Sequence, residues 1–200
     1  MIGLTGGIAS GKSAVAQRLR ALGAVVLDAD QFSREVVEPY TPGWQRVKEA
    51  FPAVIRPDQS IDRALLGEIV FSDPQQRKTL EGIIHPEVLK RLKEEGEKAV
   101  KEGRVVFAEV PLLYEVGWDR FMDETWVVYV RPEIQIQRLL ERSPLTREQA
   151  EQRIASQMPL EEKASRAQRV IDNNGPLERT WEQVDALWEE LKREDRVNCP

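Results

Sequence analysis

The sequence predicts an α/β fold, a three-layer sandwich in which helices cover both faces of a five-stranded parallel sheet. Three observations lead to this prediction. Five short apolar runs are spread along the chain, helical periodicity separates them, and a glycine-rich loop follows the first run. Strands that alternate with helices form parallel sheets, because each connecting helix returns the chain to the end of the sheet where the previous strand began. At 200 residues the chain can bury a sizeable core without a disulfide or a metal.

The first strand contains Ile2 and Leu4 and leads into Gly6-Gly7-Ile8-Ala9-Ser10-Gly11-Lys12-Ser13. This stretch fits the phosphate-binding pattern G-x-x-x-x-G-K-[ST], and the apolar spacing after it predicts a helix that stops at Gly23. In that setting the loop N–H groups face a phosphate, Lys12 reaches the β- and γ-phosphates, and the Ser13 hydroxyl can hold Mg²⁺. The alternative is a glycine-rich turn with a lysine that faces solvent.

Composition restricts the classes of function that the chain can have. The net charge of −5 argues against a general binder of nucleic acid or of anionic membranes. No apolar run approaches the ~18 residues of a membrane span, and Cys199, as the single cysteine, excludes an internal disulfide. With no signal peptide before the first strand, we expect a cytoplasmic protein that acts on small molecules, as a monomer or a small homo-oligomer.

Two acidic residues follow the second predicted strand, Val25-Val26-Leu27. Because ligands bind at the carboxyl ends of parallel strands, Asp28 and Asp30 could coordinate Mg²⁺ or accept a hydroxyl proton. The alternative is that Asp30 only N-caps a helix beginning near Gln31, and we expect one of the two acids to be such a cap.

Residues 31–103 show no strand pattern and predict a helical insertion between the second and third strands. Asp62 and Asp73 are expected N-caps, and Pro86 is expected to break the helix that Asp73 starts, with another helix after it. His85, the only histidine, cannot form a multi-histidine metal site. It is either a structural side chain or a substrate contact.

The third strand is predicted at Val105–Val110 and carries one acid, Glu109, inside an apolar run. A buried carboxylate needs a partner, and Mg²⁺-bound water, Lys12 or a substrate group could supply it. An ordinary buried ion pair explains Glu109 equally well.

The remaining pattern predicts an arginine-rich lid and the end of the sheet. A helix through Arg142 follows the fourth strand, Thr125–Val130, and Thr146 with Gln149 predicts a capping box for the next helix. This pair of helices suits a lid over a phosphoryl group at about 138–165. The alternative is that most of these arginines belong to a solvated, salt-bridged surface. Arg138 and Arg142 are expected to be the exceptions and to contact phosphate. The fifth strand is Val170-Ile171, and the last helix is expected to bury Leu177, Trp181, Val184, Leu187, Trp188 and Leu191.

In this order and spacing, several short stretches resemble the dephospho-coenzyme A kinase family over almost the full chain. Besides the loop they are Leu27-Asp28-Ala29-Asp30, Val36-Val37-Glu38-Pro39, Ile84-His85-Pro86, Val110-Pro111-Leu112-Leu113-Tyr114-Glu115, Gln157-Met158-Pro159-Leu160-Glu161-Glu162-Lys163 and Val170-Ile171-Asp172-Asn173. The resemblance implies MgATP-dependent phosphorylation of the ribose 3′-hydroxyl of dephospho-CoA, the last step of coenzyme A synthesis. It also implies one domain of P-loop kinase type, with a core at 1–30, 104–131 and 168–195, a CoA-binding insertion at 31–103 and the lid.

The resemblance also implies roles for individual positions. Asp30 is similar to the residue that approaches the acceptor hydroxyl, and Arg138 and Arg142 to lid residues that clamp phosphate. Acceptor-side contacts are implied for His85, Pro111, Leu112, Leu113 and Glu115. ATP contacts are implied for Gly7, Ile8, Ala9, Ser10, Gly11, Lys12, Ser13 and Ala14, and for Asn173 at the adenine end. The chain departs from many relatives at Ala14 (often Thr), at Ser143 with Pro144 (often Asp at 143) and at Glu109 (often Asp).

We therefore expect a kinase in which Lys12, Asp30, Arg138 and Arg142 carry the transfer. Another P-loop kinase for a small molecule or a nucleotide is the first alternative, because pocket shape selects the acceptor. A GTP-dependent switch is the second, since Asp172-Asn173-Asn174-Gly175 spells D-x-x-G. That motif follows the fifth strand instead of the third, and no N-K-x-D follows it.

Overall fold

The sheet has five strands in the order β2-β3-β1-β4-β5. The computed structural model describes residues 1–198, with side chains to residue 193; Cys199 and Pro200 lie outside the described residues. The strands are β1 (Ile2–Gly6), β2 (Val25–Asp28), β3 (Val106–Glu109), β4 (Glu124–Tyr129) and β5 (Arg169–Asp172). β1 runs parallel to both β3 and β4, and β4 runs parallel to β5. The predicted fold class is confirmed.

Helices connect the strands as the periodicity predicted. Within the described part of the chain they are α1 (Lys12–Ala21), α2 (Ala29–Glu35), α3 (Pro42–Ala50), α4 (Arg63–Ser72), α5 (Pro74–Lys101), α6 (Pro132–Arg142), α7 (Arg147–Ala155), α8 (Leu160–Arg166) and α9 (Leu177–Asn198). No helix among the described residues is both long and apolar enough to cross a membrane.

The sheet is buried because its strands are apolar on both faces. On one face the side chains of Leu4, Phe107 and Trp126 pack with apolar residues of α1 and α9. On the other face Val127 and Val130 pack with Leu160 of α8. Parallel sheets with helices on both faces require such continuous apolar strands. The result is the predicted three-layer arrangement, with the core centred on β1, all five residues of which are buried.

The chain divides into two compact units, residues 28–98 and residues 1–27 together with 99–200. The smaller unit contains α2, α3, α4 and most of α5, with one isolated β-bridge between Ile55 and Ile61. Its interior includes Trp44 and Val47 of α3, and the indole N–H of Trp44 donates to the carbonyl of Gln59 at 2.7 Å. The larger unit contains the phosphate loop and the predicted lid.

The predicted break at Pro86 is wrong, because α5 continues through this residue from Pro74 to Lys101. A proline inside a helix costs about 3 kcal/mol, whereas burying one large aliphatic side chain contributes about 1.5–3 kcal/mol. Buried residues lie on both sides of Pro86, at Ile83, Val88 and Leu92. The apolar face that spans the proline therefore outweighs the hydrogen bond that it removes.

Capping side chains mark where α2, α3, α4 and α7 begin. Asp28 N-caps α2, accepting hydrogen bonds from the N–H groups of Asp30 and Gln31, so the alternative that Asp30 is the cap is wrong. Asp62 caps α4, and the capping box at Thr146 is present in α7. The predicted buried face of α9 is correct only for its C-terminal part. Leu177 and Trp181, in the first turns of α9, retain 39% and 37% of their surface.

Candidate nucleotide-binding site

The glycine-rich loop joins β1 to α1, and other atoms lie close to the backbone of its glycines. Gly11 precedes α1 with a φ of 88°, in the left-handed region that side chains disfavour. A Cβ atom on Gly11 would lie 2.0 Å from Nδ2 of Asn173, and one on Gly7 would lie 2.7 Å from Nε2 of Gln135. Both glycines therefore permit close approach of neighbouring amide side chains to the loop backbone.

The loop leaves a group of backbone donors open. Ser10 N–H donates to the Gly7 carbonyl, and Ala14 and Val15 N–H donate to that of Gly11. Within residues 1–198, no protein acceptor is recorded for the N–H groups of Ala9, Gly11, Lys12 and Ser13. Such donors at the start of a helix, together with the helix dipole, form an anion-binding site. The loop thus leaves these donors unpaired at the start of α1, and phosphate binding by them stays a prediction.

Lys12 and Glu109 form an ion pair, as expected for a buried carboxylate that needs a partner. Nζ of Lys12 lies 2.5 Å from Oε1 of Glu109, and both side chains are nearly buried. A terminal nitrogen of Arg20 lies 3.5 Å from the other oxygen of the carboxylate. The predicted partner Lys12 is therefore present, and Arg20 adds a second cation. A polyphosphate carries more negative charge than one carboxylate and can compete with Glu109 for Lys12.

Asn173 fastens the loop to the carboxyl end of β5. Its Nδ2 donates to the Ser10 carbonyl at 2.7 Å, and its Oδ1 accepts from the Thr180 hydroxyl at 2.7 Å. Arg138 donates to the Asn173 carbonyl at 2.9 Å, so α6 is brought to the same point. Asn173 retains only 4% of its surface. Its side chain supports the phosphate loop, and the adenine contact expected of Asn173 stays a prediction.

A cavity of about 590 Å³ opens beside the turn that follows β5. It is lined by Arg131, Asp172, Asn174, Gly175, Arg179, Glu182, Gln183 and Ala186. Its volume lies in the range of small-molecule sites, and its walls are largely polar and charged. The turn itself is held by local hydrogen bonds, because the Asp172 carboxylate accepts from both nitrogens of Asn174.

The two predicted clamp arginines of α6 have different surroundings. Arg138 is half-buried and bonded to Asn173, whereas Arg142 is exposed at the last residue of the helix. No hydrogen bond or ion pair of the Arg142 side chain is recorded within the side chains described, 1–193. Arg147 in α7 forms an exposed ion pair with Glu151, as expected for a solvated surface.

The segment from Pro111 to Glu115 links β1 to α8 through hydrogen bonds and an ion pair. The Pro111 carbonyl accepts from the Thr5 hydroxyl at 3.1 Å and from Lys163 at 2.9 Å. Glu115 pairs with the fully buried Lys163 at 2.8 Å and also accepts from the Met158 N–H. Of the other predicted acceptor contacts here, Leu112 is 40% exposed, whereas Leu113 is fully buried in the core.

Asp30 and His85 belong to the smaller unit. Asp30 is exposed in the first turn of α2. His85 is half-buried in α5, and this burial lowers the pKa of its imidazole, against a smaller raising effect of Glu81. The neutral form of His85 is therefore favoured near pH 7, which suits a side chain that donates or accepts a hydrogen bond.

Three functional candidates in the larger unit were missed by sequence reasoning. Gln135 is buried in α6 and Gln157 lies between α7 and α8, and they bond to the carbonyl and the N–H of Ile8, respectively. Lys163 is fully buried in α8. The only sequence signal for Gln135 was a polar residue within an apolar helix face. Gln157 and Lys163 lie in a stretch that resembled the family, but nothing in the stretch indicated their partners.

The residues present fit Mg²⁺ as a partner of a bound polyphosphate. No group of three or more Asp, Glu, His or Cys side chains that could form a metal cage occurs among the described residues. Mg²⁺ in phosphoryl-transfer sites keeps several waters and takes substrate phosphate oxygens, so one protein oxygen is enough. The Ser13 hydroxyl is exposed in the first turn of α1 and can supply that oxygen.

The chain is similar to known kinases over nearly its whole length. The family model described as dephospho-CoA kinase matches residues 1–179. A dephospho-CoA kinase of Symbiobacterium thermophilum is 53% identical over 190 residues, which cover 94% of this chain and 80% of that protein. The crystal structure of TT1252 from Thermus thermophilus matches with a TM-score of 0.81 at 40% identity, covering 95% of this chain and 96% of that one. Dephospho-CoA kinase from Campylobacter jejuni matches with a TM-score of 0.76 at 26% identity, covering 97% and 98%.

Proposed function

The chain belongs to the dephospho-CoA kinase family, and on that premise we propose that it transfers the γ-phosphoryl group of ATP to the ribose 3′-hydroxyl of dephospho-CoA. The products are coenzyme A and ADP. The observation that carries the donor half of this proposal is the loop with four open N–H groups beside Lys12. Such a loop binds the phosphates of a nucleotide. The acceptor half rests on the family.

The donor side would be held by the loop and by the first turn of α1. The open N–H groups bind the phosphates, and Lys12 exchanges its pairing with Glu109 for the β- and γ-phosphates. Ser13 would hold Mg²⁺, which supplies charge neutralisation on the phosphates when it is bound. The adenine end is expected near Asn173, where the neighbouring turn borders the cavity of about 590 Å³.

The acceptor side and the lid would complete the site. We assign to Asp30 the orientation or deprotonation of the 3′-hydroxyl, and to Arg142 and Arg138 the stabilisation of charge on the moving group. His85 and Leu112 are expected to contact dephospho-CoA. Phosphoryl transfer depends mostly on positioning and electrostatics, so these residues act by holding both substrates in line.

The overall charge supports small molecules as the partners of this kinase. A net charge of −5 disfavours nucleic acid as a partner, so the positive groups of the loop and lid act locally. We propose that the protein works in the cytoplasm, where ATP and dephospho-CoA are present, as a monomer or a small homo-oligomer.

A panel of acceptors tests the proposal. The protein is incubated with labelled ATP, Mg²⁺ and either dephospho-CoA, AMP, dTMP or shikimate, and labelled product is measured. We expect transfer to dephospho-CoA at least ~100-fold faster than to any other acceptor, because the acceptor pocket selects by shape. The Lys12→Ala variant should give no transfer. Preferred transfer to another acceptor would make the protein a different kinase, and GTP hydrolysis without any acceptor would favour a switch.

A further inference from the structure

Two consecutive peptide groups of the phosphate loop, Gly7–Ile8 and Ile8–Ala9, are each held by a glutamine side chain. The Ile8 N–H donates to Oε1 of Gln157 at 2.8 Å. The Ile8 carbonyl accepts from Nε2 of Gln135 at 2.7 Å. Gln135 is buried within α6, and Gln157 is half-buried in the short segment between α7 and α8. Helix α6 and the segment between α7 and α8 thus hold neighbouring peptide bonds of the loop.

The direction of these two peptide groups matters for anion binding. Within the described residues, the N–H groups of Ala9, Gly11, Lys12 and Ser13 have no recorded protein acceptor, whereas that of Ile8 is paired with Gln157. The Gly7–Ile8 peptide is fixed at both ends, because its N–H donates to Gln157 and its Gly7 carbonyl accepts from the Ser10 N–H, so rotation would break both hydrogen bonds. Gln135 holds the carbonyl of the Ile8–Ala9 peptide, and the open Ala9 N–H of that trans peptide points to the opposite side. The pair of glutamines therefore keeps the loop in its anion-binding conformation.

Gln157 is itself held in place by contacts of its neighbour. The Met158 N–H donates to Glu115 at 3.0 Å, and Glu115 pairs with the fully buried Lys163 at 2.8 Å. Lys163 also donates to the Pro111 carbonyl, which accepts from Thr5 of β1 as well. A continuous set of hydrogen bonds thus runs from the strand before the loop, through α8, to Gln157. A shift of the segment between α7 and α8 moves the acceptor of the Ile8 N–H.

We propose that Gln157 is a positioning residue that couples the lid segment to the phosphate loop and so sets the affinity for nucleotide. Its amide oxygen holds the Gly7–Ile8 peptide in the direction that leaves the open N–H groups facing the phosphates. The inference rests on the proposed kinase function for its biological meaning. The predicted effect on nucleotide binding comes from one hydrogen-bond acceptor, the Gln157 amide oxygen. It is therefore the same whichever molecule receives the phosphoryl group.

The test separates the effect of the Gln157 amide oxygen from the effect of the length of the side chain. Gln157→Met keeps the length of the side chain and removes the amide oxygen, whereas Gln157→Glu keeps an oxygen acceptor. Gln152→Met is the matched control, because Gln152 is exposed on α7 and its side chain has no recorded partner within residues 1–193. Dissociation constants for ADP are measured by titration calorimetry, and hydrogen exchange of the Ile8 amide is followed by NMR.

We expect Gln157→Met to weaken ADP binding about tenfold, since loss of one such hydrogen bond is worth roughly 1.4 kcal/mol. The KM for ATP should rise by a similar factor while kcat stays within about threefold, because the bond acts in the ground and transition states alike. Exchange of the Ile8 amide should accelerate in Gln157→Met and remain protected in Gln157→Glu. The control should match the wild type in every measurement.

Unchanged or tighter ADP binding in Gln157→Met would overturn the proposal, and tighter binding would mean that Gln157 competes with the phosphates. Loss of Ile8 protection in Gln157→Glu would overturn it as well, and this measurement stands even if the Met variant does not fold. Failure of the proposed function looks different. ADP would then bind normally to the wild type, and dephospho-CoA would not be phosphorylated.

Discussion

Asp30 lies in the first turn of α2, where Asp28 provides the N-cap. The carboxylate of Asp30 is therefore not required to start the helix, and Asp30→Asn changes charge and basicity with little change in shape. We expect kcat to fall by about 100-fold or more, because the acceptor hydroxyl loses its proton acceptor, while the KM for ATP stays near the wild-type value. Steady-state kinetics with dephospho-CoA checks this.

Asp58→Asn is the matched control for Asp30→Asn. Asp58 is an aspartate of the same unit, and the Ser60 hydroxyl and N–H, which donate to its carboxylate, lower its pKa. This variant should leave kcat unchanged. Turnover of Asp30→Asn close to that of the wild type would remove Asp30 from the transfer step.

Gly11 and Gly103 separate two effects that glycine can have in this fold. Both have a positive φ, of 88° and 73°, but a Cβ on Gly11 would meet Asn173 at 2.0 Å, whereas one on Gly103 would meet nothing within 4 Å. Alanine in the left-handed region costs about 1–2 kcal/mol, so Gly103→Ala should lose this much stability and Gly11→Ala at least this much. Gly11→Ala should in addition weaken ADP binding at least ~10-fold, because Asn173 must leave the Ser10 carbonyl.

Urea unfolding and ADP titration measure the two effects of these glycine variants separately. Equal ADP affinity in Gly11→Ala and Gly103→Ala would show that the contact between Asn173 and the loop does not shape the site.

Among the helices and strands, the features that depend on neighbouring residues in the chain could be predicted from the sequence. Asp62 and Thr146 mark helix starts because a cap acts within one turn of chain. The strands differ from prediction by one residue at their ends, as for β4, Glu124–Tyr129, predicted to begin at Thr125. Pro86 misled the prediction because its local penalty is readable in the sequence. The compensating burial of Val88 and Leu92 depends on which residues pack against α5.

In the candidate site, too, features formed by consecutive residues could be predicted, whereas contacts between residues far apart in the chain could not. The loop from Gly7 to Ser13 could be found because its function resides in consecutive backbone groups. Gln135 and Gln157 could not be found, since their partner Ile8 lies 127 and 149 positions away along the chain. Lys163 is charged and fully buried, and its carbonyl and carboxylate partners are visible only in the folded structure.

Substitutions in α5 test whether Pro86 has a functional role in addition to its cost in helix stability. Pro86 and Gly82 are exposed positions inside the same helix. Relative to alanine they cost about 3 and 1 kcal/mol, so both Pro86→Ala and Gly82→Ala should raise the free energy of unfolding, Pro86→Ala by more. We expect only Pro86→Ala to raise the KM for dephospho-CoA, by about threefold or more, because the predicted acceptor contact His85 precedes it. Unfolding curves and acceptor titrations measure both quantities.

Two results would contradict the interpretation of α5. Lower stability in Pro86→Ala would mean that the helix needs the local geometry that proline imposes. An increased KM in Gly82→Ala as well would mean that the acceptor responds to any change in this helix, and not to Pro86 itself.

At the scale of the whole molecule, the phosphate loop is continuous with the main hydrophobic core. Leu4 precedes the loop and Val15 follows it, and both are fully buried in the cluster that β1, α1 and α9 share. Arg18 of α1 and Asp185 of α9 form a two-point ion pair on the surface above this cluster. Opening of the larger unit therefore disrupts the loop, so a nucleotide bound to the loop should stabilise the unit as a whole.

This linkage gives a prediction for ligand addition. ADP at about 100 times its dissociation constant should raise the free energy of unfolding by about 2.7 kcal/mol. For a chain of this length that corresponds to an increase in Tm of about 5–10 °C. Lys12→Ala should abolish most of this increase, because the lysine contributes its charge to the phosphates. Asp30→Asn should retain the increase in full, since Asp30 is assigned to the acceptor. Differential scanning fluorimetry at several ADP concentrations checks all three proteins, and an equal increase in Lys12→Ala would place the nucleotide away from the loop.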